Sequence, residues 1–260
     1  MYKKKAKYKL RKIYKDHFKH QLVSYLQNFD CFCFLDNNSE SNQDFDFLGA
    51  FRKKRELIDA KMPFLSLDRF ISLNQDWVFG YFSYDLKNSI ESLHSKNIDN
   101  HLFPRMHFFI ASIIVQVKND NVTILYDSCF SSLEIDSLFK KICATKCEYF
   151  SSHSINMKAR VSKEEYLNHI IAIKKHLQKG DIYEVNYCQE FYMENIKINP
   201  YSLFNIFNTE SQAPFSSFYR INQNFCLCAS PERYLQKKSD KIISQPIKGT
   251  VKRLKDDALD

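Results

Sequence analysis

The stretch from Ser162 to Thr250 restricts the possible folds more than any other part of this chain. Ser162 and Glu165 form an S-x-x-E capping box. Tyr166, Leu167, Ile170, Ile171, Lys174 and Leu177 then recur at helical spacing, and Gly180 supplies a C-terminal stop. A long strand is expected over "DIYEVNYCQEFYM", with Tyr183, Val185, Tyr187 and Phe191 on one face and Glu184, Asn186, Cys188 and Glu190 on the other. Asn199-Pro200 reads as the cap and first turn of a short helix, Tyr201 to Asn208. After it come "QAPFSSFYRI", "FCLCASPERYLQ" and "KIISQPIKGT", separated by the turns "NQN" and "KKSD". A helix followed by antiparallel strands is an α+β pattern, unlike the alternating βαβ of a nucleotide fold.

Upstream the signals are sparser. A helix is expected from Phe18 to Phe29, then the strand "CFCFL" and a polar turn "DNNSESNQD". A strand from Trp77 to Tyr84 leads into a helix from Asp85, and "RMHFFIASIIVQV", "KNDN" and "VTILYDS" read as a hairpin. The polar stretch from Lys141 to Ser154 is the expected boundary, giving domains over 1–150 and 155–260.

The net charge of +8 suggests a polyanion partner until it is located. Residues 1–15 hold eight Lys/Arg and no acid, which leaves 30 basic and 30 acidic side chains in the rest of the chain. A basic arm on a neutral body reads as a solvated tail or the polar face of a first strand, so no nucleic-acid partner is expected. The longest apolar run, Phe108 to Val117, is far short of a membrane span, and no membrane partner is expected. None of the eight cysteines forms a C-x-x-C pair. Cys31/Cys33 and Cys226/Cys228 each share a strand face, as buried reduced thiols of a cytoplasmic protein would. Only four glycines occur, where average usage of ~7% would give roughly 18, so glycine-rich ligand loops are lacking.

Chemistry concentrates in the last hairpin. Ser230-Pro231-Glu232-Arg233 begins one strand and Lys248-Gly249-Thr250 ends the other. A Ser239–Asp240 turn puts Glu232 opposite Ile247, and a turn one residue longer puts it opposite Lys248. Either register brings carboxylate and amine within about 5–8 Å. A lysine kept neutral by burial is a nucleophile, and a neighbouring carboxylic acid can protonate a departing hydroxyl. A surface ion pair is the plainer reading of the same two residues.

"GDIYEVNYCQEF", "ASPERYL" and "QPIKGTVKR", in this order, resemble the chorismate-binding enzyme family, and upstream "FGYFSYDLKN" is similar to that family's N-terminal domain. The resemblance is closest to the branch of aminodeoxychorismate synthase large subunits, which carry lysine in the Pro-Ile-x-Gly-Thr motif where anthranilate synthases carry alanine. It implies antiparallel sheets and helices in an α/β/β/α arrangement. It implies Lys248 as the nucleophile attacking C2 of chorismate, Glu232 as acid/base, and Gly249 and Thr250 as substrate-holding residues. It also implies ammonia from a glutamine amidotransferase partner, Mg²⁺ as cofactor, and a place in para-aminobenzoate and folate synthesis. Relatives hold a tryptophan pocket near the positions of Asn37, Pro214, Phe215 and Ser216. At Tyr187-Cys188-Gln189-Glu190 the chain departs from the family's Leu-Ser-Gln-Arg.

Relatives run on well past the lysine, and their magnesium-binding carboxylates lie there. The resemblance therefore implies a C-terminally truncated catalytic domain, inactive alone, with no metal ligands in this chain. The alternatives are an anthranilate synthase-type subunit and a non-catalytic remnant that binds a ligand or partner.

Overall fold

Cys31 to Asp36 alternate side chains so that both faces are apolar, with Phe32 and Phe34 on one and Cys31 and Cys33 on the other. Such a strand has to lie inside a sheet covered on both sides. In the computed structural model, which describes residues 3–11, 14–38, 44–94, 97–147 and 157–247, it does.

The described residues of 1–148 and 200–260 make one unit and those of 149–199 another. In chain order the first unit begins with β1 (Lys4–Lys9), α1 (Lys15–Tyr25), β2 (Cys31–Asp36), β3 (Phe47–Ile58), α2 (Pro63–Asn74) and β4 (Val78–Phe82). Next come β5 (Met106–Lys118), β6 (Asn121–Tyr126) and α3 (Ser132–Cys143). The second unit contributes β7 (Lys158–Ala159), α4 (Lys163–Lys179) and β8 (Phe191–Tyr192). The chain then returns with α5 (Pro200–Ser211), β9 (Phe215–Ile221), β10 (Asn224–Ser230), β11 (Arg233–Lys238) and β12 (Lys241–Gln245).

The main sheet runs β1-β6-β5-β3-β2-β9-β10, with β4 also on β5, and every pair is antiparallel. The sheet therefore crosses the boundary expected at 150–155, because β9 pairs with β2 through Asp36↔Ser216 and Phe34↔Phe218. Helices α1, α3 and α5 cover one face, where Phe18, Leu22, Ile135, Leu138 and Phe204 meet Phe32, Phe34, Phe51, Val115 and Phe218. Each fully buried ring there contributes about 1.5–3 kcal/mol.

The opposite face is covered by the sheet itself. Arg52 adopts φ 58°, and the register between β3 and β5 slips between Lys53 and Arg55, leaving Lys54 as an extra residue. Such a bulge bends and twists the strand. Beyond it, β4 and the first half of β5 carry Phe79 and Phe109 into a cluster with Cys31, Cys33 and Tyr219. Gly80 is needed in this bend, since a Cβ there would lie 2.2 Å from the His107 carbonyl oxygen.

Several elements differ from expectation. β1 is an edge strand, which settles the choice left open for the lysine-rich start. The helix expected at 18–29 begins at Lys15 and tightens into a 3₁₀ turn at Leu26–Asn28. The helix expected from Asp85 is only a 3₁₀ turn, Tyr84–Ser89, whose N-cap Ser83 makes no side-chain cap bond. The long strand expected over 181–193 shrinks to Phe191–Tyr192, and Tyr183 is 97% exposed. A strand forms only where its backbone groups find partners, and among the described residues β8 finds only the two of β7. Cys31 and Cys33 are buried as expected, but Cys226 is exposed and Cys228 half-buried.

In the second unit α4 is capped by Ser162 and Glu165 as read from sequence, yet none of its residues is buried. Arg160 donates to both carboxylate oxygens of Glu190 and lies 3.7 Å from the Tyr192 ring centroid.

Candidate functional site

The stretch that carries Glu232 is set by two devices. Ser230 Oγ accepts from the Glu232 N–H at 3.3 Å and donates to the Glu232 carbonyl at 3.0 Å, which folds the chain sharply as it leaves β10. Pro231 cannot continue a ladder, so the strand expected over "FCLCASPERYLQ" breaks here into β10, in the main sheet, and β11, in a separate hairpin. Arg233 anchors the restart, with Nε donating to Gln245 Oε1 at 2.9 Å and the guanidinium 4.7 Å from the Phe215 ring centroid.

The hairpin turn is Ser239–Asp240, with Lys238↔Lys241, Lys237↔Ile242 and Gln236↔Ile243 in the register expected for it. The register then shifts, and Arg233 faces Gln245 rather than Pro246. Pro246 has no N–H to offer, so pairing ends at Gln245. Glu232, half-buried, and Ile247 thus lie beyond the paired residues, and the pairing of Glu232 with Ile247 expected for this turn is not formed among the described residues. Lys248, Gly249 and Thr250 lie outside the described residues.

A second concentration of polar groups sits where β2 ends beside the start of β9. Asp36 is 1% exposed, and its carboxylate accepts from Lys19 Nζ at 2.7 Å, Asn208 Nδ2 at 2.7 Å and the Asn38 N–H at 3.0 Å. Asn38, at φ 48°, turns its amide inward and donates to Asn208 Oδ1 (2.9 Å), the Ala213 carbonyl (2.8 Å) and Ser216 Oγ (3.2 Å). Asn37 is buried and donates from Nδ2 to the Phe45 carbonyl at 2.5 Å. Of the pocket residues expected by resemblance, Asn37 and Ser216 flank this network, while Pro214 and Phe215 lead into β9 and are half-buried. Sequence reading missed Lys19, Asn38 and Asn208; the run Asp36-Asn37-Asn38 was the only local signal for them.

Outside the network, Asp16, Lys19, His20, Asn208, Thr209 and Gln212 line a crevice of about 320 Å³ between α1 and α5. Burial, with the Lys19 ammonium beside it, pushes the His20 imidazole below its ordinary pKa. Among the described residues no group of three or more His, Cys, Asp or Glu could hold a metal ion. None of their helices is long and apolar enough to cross a membrane.

Comparison with known proteins adds a family. A family model described as chorismate binding enzyme matches residues 31–260. Aminodeoxychorismate synthase component 1 of Klebsiella aerogenes is 32% identical over 181 residues, covering 68% of this chain and 39% of that protein. Its counterpart in Escherichia coli K12 is 27% identical, covering 70% and 40%. Anthranilate synthase component 1 of Buchnera aphidicola subsp. Pemphigus spyrothecae is 30% identical, covering 66% and 35%. The chain thus spans about two fifths of the length of the curated relatives it matches. In structure it is similar to anthranilate synthase component I from Streptococcus pneumoniae TIGR4, at TM-score 0.64 and 16% identity over 78% of this chain and 54% of that one. That likeness is one of fold.

Proposed function

The chain belongs to the chorismate-binding enzyme family, and from that membership we propose that it serves in the amination of chorismate to 4-amino-4-deoxychorismate. The observation that carries this reading is Lys248 within Pro246-Ile247-Lys248-Gly249-Thr250, the position at which anthranilate synthases carry alanine. The 32% identity to an aminodeoxychorismate synthase component 1 supports the same branch.

In this reading the neutral Lys248 amine forms a bond to C2 of chorismate while both ring double bonds shift, C1=C2 to C1=C6 and C5=C6 to C4=C5, and the 4-hydroxyl departs. Glu232, as the acid, gives that hydroxyl its proton, so water leaves. Ammonia from a glutamine amidotransferase partner then forms the new C–N bond at C4, both double bonds shift back, and the C2–N bond breaks to release the lysine amine. Gly249 and Thr250 hold the substrate. The sharp Ser230–Glu232 turn supports this role for Glu232, since it keeps the residue out of the β-ladder and half-exposed.

Bound Mg²⁺ would neutralise substrate carboxylate charge in this chemistry. The described residues do not supply a ligand set for it.

The test is product analysis with the protein that carries this chain, chorismate, Mg²⁺ and ammonia. Formation of 4-amino-4-deoxychorismate and an intact-mass adduct lost in Lys248→Ala supports the reading. Anthranilate as product assigns the other branch, and unchanged turnover with glutamine in Lys248→Ala refutes the nucleophile.

The closeness of Asn37 and Ser216 around the Asp36 network favours a second, compatible reading, a pocket for a tryptophan-like ligand bordered by Asn37, Pro214, Phe215 and Ser216. Calorimetric titration with tryptophan, weakened by Ser216→Leu, tests it.

A further inference from the structure

The register of β1, β6 and β5 builds a cationic face far from Glu232 in sequence. Lys7, Thr123 and Gln116 form one cross-strand row, and Lys5 and Leu125 belong to the next, with all five lining one groove. Alternate residues on a strand lie about 6.6–7 Å apart, so the two ammonium groups on their flexible stems can converge on one diphosphate.

The far wall of the groove is pinned in place. Lys3 Nζ, with its side chain only 4% exposed, bridges Asp76 at 3.1 Å and Asp127 at 2.8 Å, and Lys54 completes the pairing of Asp127 at 3.2 Å. This buried bridge ties the start of β1 to the Gln75–Trp77 segment. It also occupies Asp76, the one carboxylate among the described residues that line the groove. Lys5 and Lys7 are exposed, and their ammonium groups make no ion pair or hydrogen bond among the described residues. Beside them Trp77, the only tryptophan of the chain, is 45% exposed.

We propose that this groove binds a nucleotide, with its diphosphate on Lys5 and Lys7 and its flat base against the Trp77 indole. The groove measures about 820 Å³, within the roughly 300–1,000 Å³ usual for small-molecule sites. A track for single-stranded nucleic acid stacks successive bases on a series of aromatics, and among the described residues here only one ring lines the groove. Glu232 is not among the residues that line the groove, and the ADP test does not involve the proposed catalytic residues, so its failure leaves the chorismate reading untouched.

Because Trp77 is unique, its fluorescence reports this groove alone. Titration with ADP is expected to quench it saturably, with affinity falling several-fold as salt rises. Lys5→Gln/Lys7→Gln weakens ADP at least tenfold, and charge reversal in Lys5→Glu/Lys7→Glu weakens it further. Followed by calorimetry, Trp77→Phe weakens ADP several-fold and leaves inorganic pyrophosphate unchanged. No saturable response up to millimolar ADP overturns the proposal, as does equal affinity in the lysine variants. Tighter binding of oligo(dT) than of ADP also overturns it, in favour of a nucleic-acid track. Self-association of the lysine variants without any ADP response assigns the lysines to edge-strand protection instead.

Discussion

His107 on β5 and Tyr219 on β9 meet in the interior, with Nδ1 and the phenol oxygen 2.5 Å apart. The other imidazole nitrogen lies 3.3 Å from Glu56 Oε2, and His107 is fully buried. In sheet order β5 and β9 are separated by β3 and β2, so only the bend at Lys53–Arg55 lets them touch. The contact is the clasp that closes the curled sheet over its own second face.

Burial pushes the His107 imidazole below its ordinary pKa of 6.5, the Lys53 ammonium adds to this, and the Glu56 carboxylate opposes it. Tyr81 and Tyr219 are the other titratable groups against the ring. Above the unfolded value of about 6.5 the imidazole is neutral in both states. Below it the unfolded chain binds the extra proton first, so stability falls as pH drops toward the folded value. Urea denaturation from pH 7.5 to 5.5 is expected to show this decline, with a shallower slope in His107→Gln.

Gly80→Ala places a Cβ against the backbone oxygen of His107 and the ring of Phe108. Backbone cannot step aside as a side chain can, so the cost is expected to be about 3 kcal/mol, at the upper end of overpacking changes. Thermal melting measures it. Gly180→Ala, where φ is 78° and the space is open, should cost only about 1 kcal/mol, for backbone strain alone.

Lys19→Met leaves the Asp36 carboxylate buried without its cation. Loss of one partner from a buried pair costs about 3–5 kcal/mol, whereas replacing both with apolar side chains restores much of it. Chemical denaturation should therefore rank Lys19→Met as less stable than Lys19→Met/Asp36→Leu.

Glu232→Gln removes the proposed acid while keeping shape and the backbone turn made by Ser230. Steady-state kinetics of chorismate amination are expected to show kcat reduced by about 10²–10⁴ with KM little changed. A rise in KM at constant kcat would assign Glu232 to binding instead.

Legibility followed the range of the signals. The capping box at Ser162/Glu165 and the turns at Asn119 and Asn222 are local, and α4, the β5–β6 hairpin and the β9–β10 hairpin emerge where expected. The same box at Ser131/Glu134 starts α3 and was there to be read. β3 was hidden because "RKKRE" interrupts its apolar pattern just where it bulges and turns outward. The pairing of β2 with β9 leaves no local trace at all. At the candidate site, "SPER" and "PIKGT" drew attention to Glu232 and Lys248, but the register shifts between Arg233 and Gln236, which simple register counting ignores. The Asp36 network joins residues up to 178 apart in sequence, as in the bond from Asn38 to Ser216, and so is visible only in three dimensions.

The pairing of β2 with β9 also sets a timetable for synthesis. About 180 residues separate Asp36 from Ser216, so at about 5–20 residues per second the ribosome needs roughly 10–40 s to deliver the partner strand. During that interval β2 is an open edge, apolar on both faces, at what later becomes the middle of the sheet. The nascent chain therefore passes through a long window in which a chaperone or another nascent copy can reach "CFCFL" before its own β9 does.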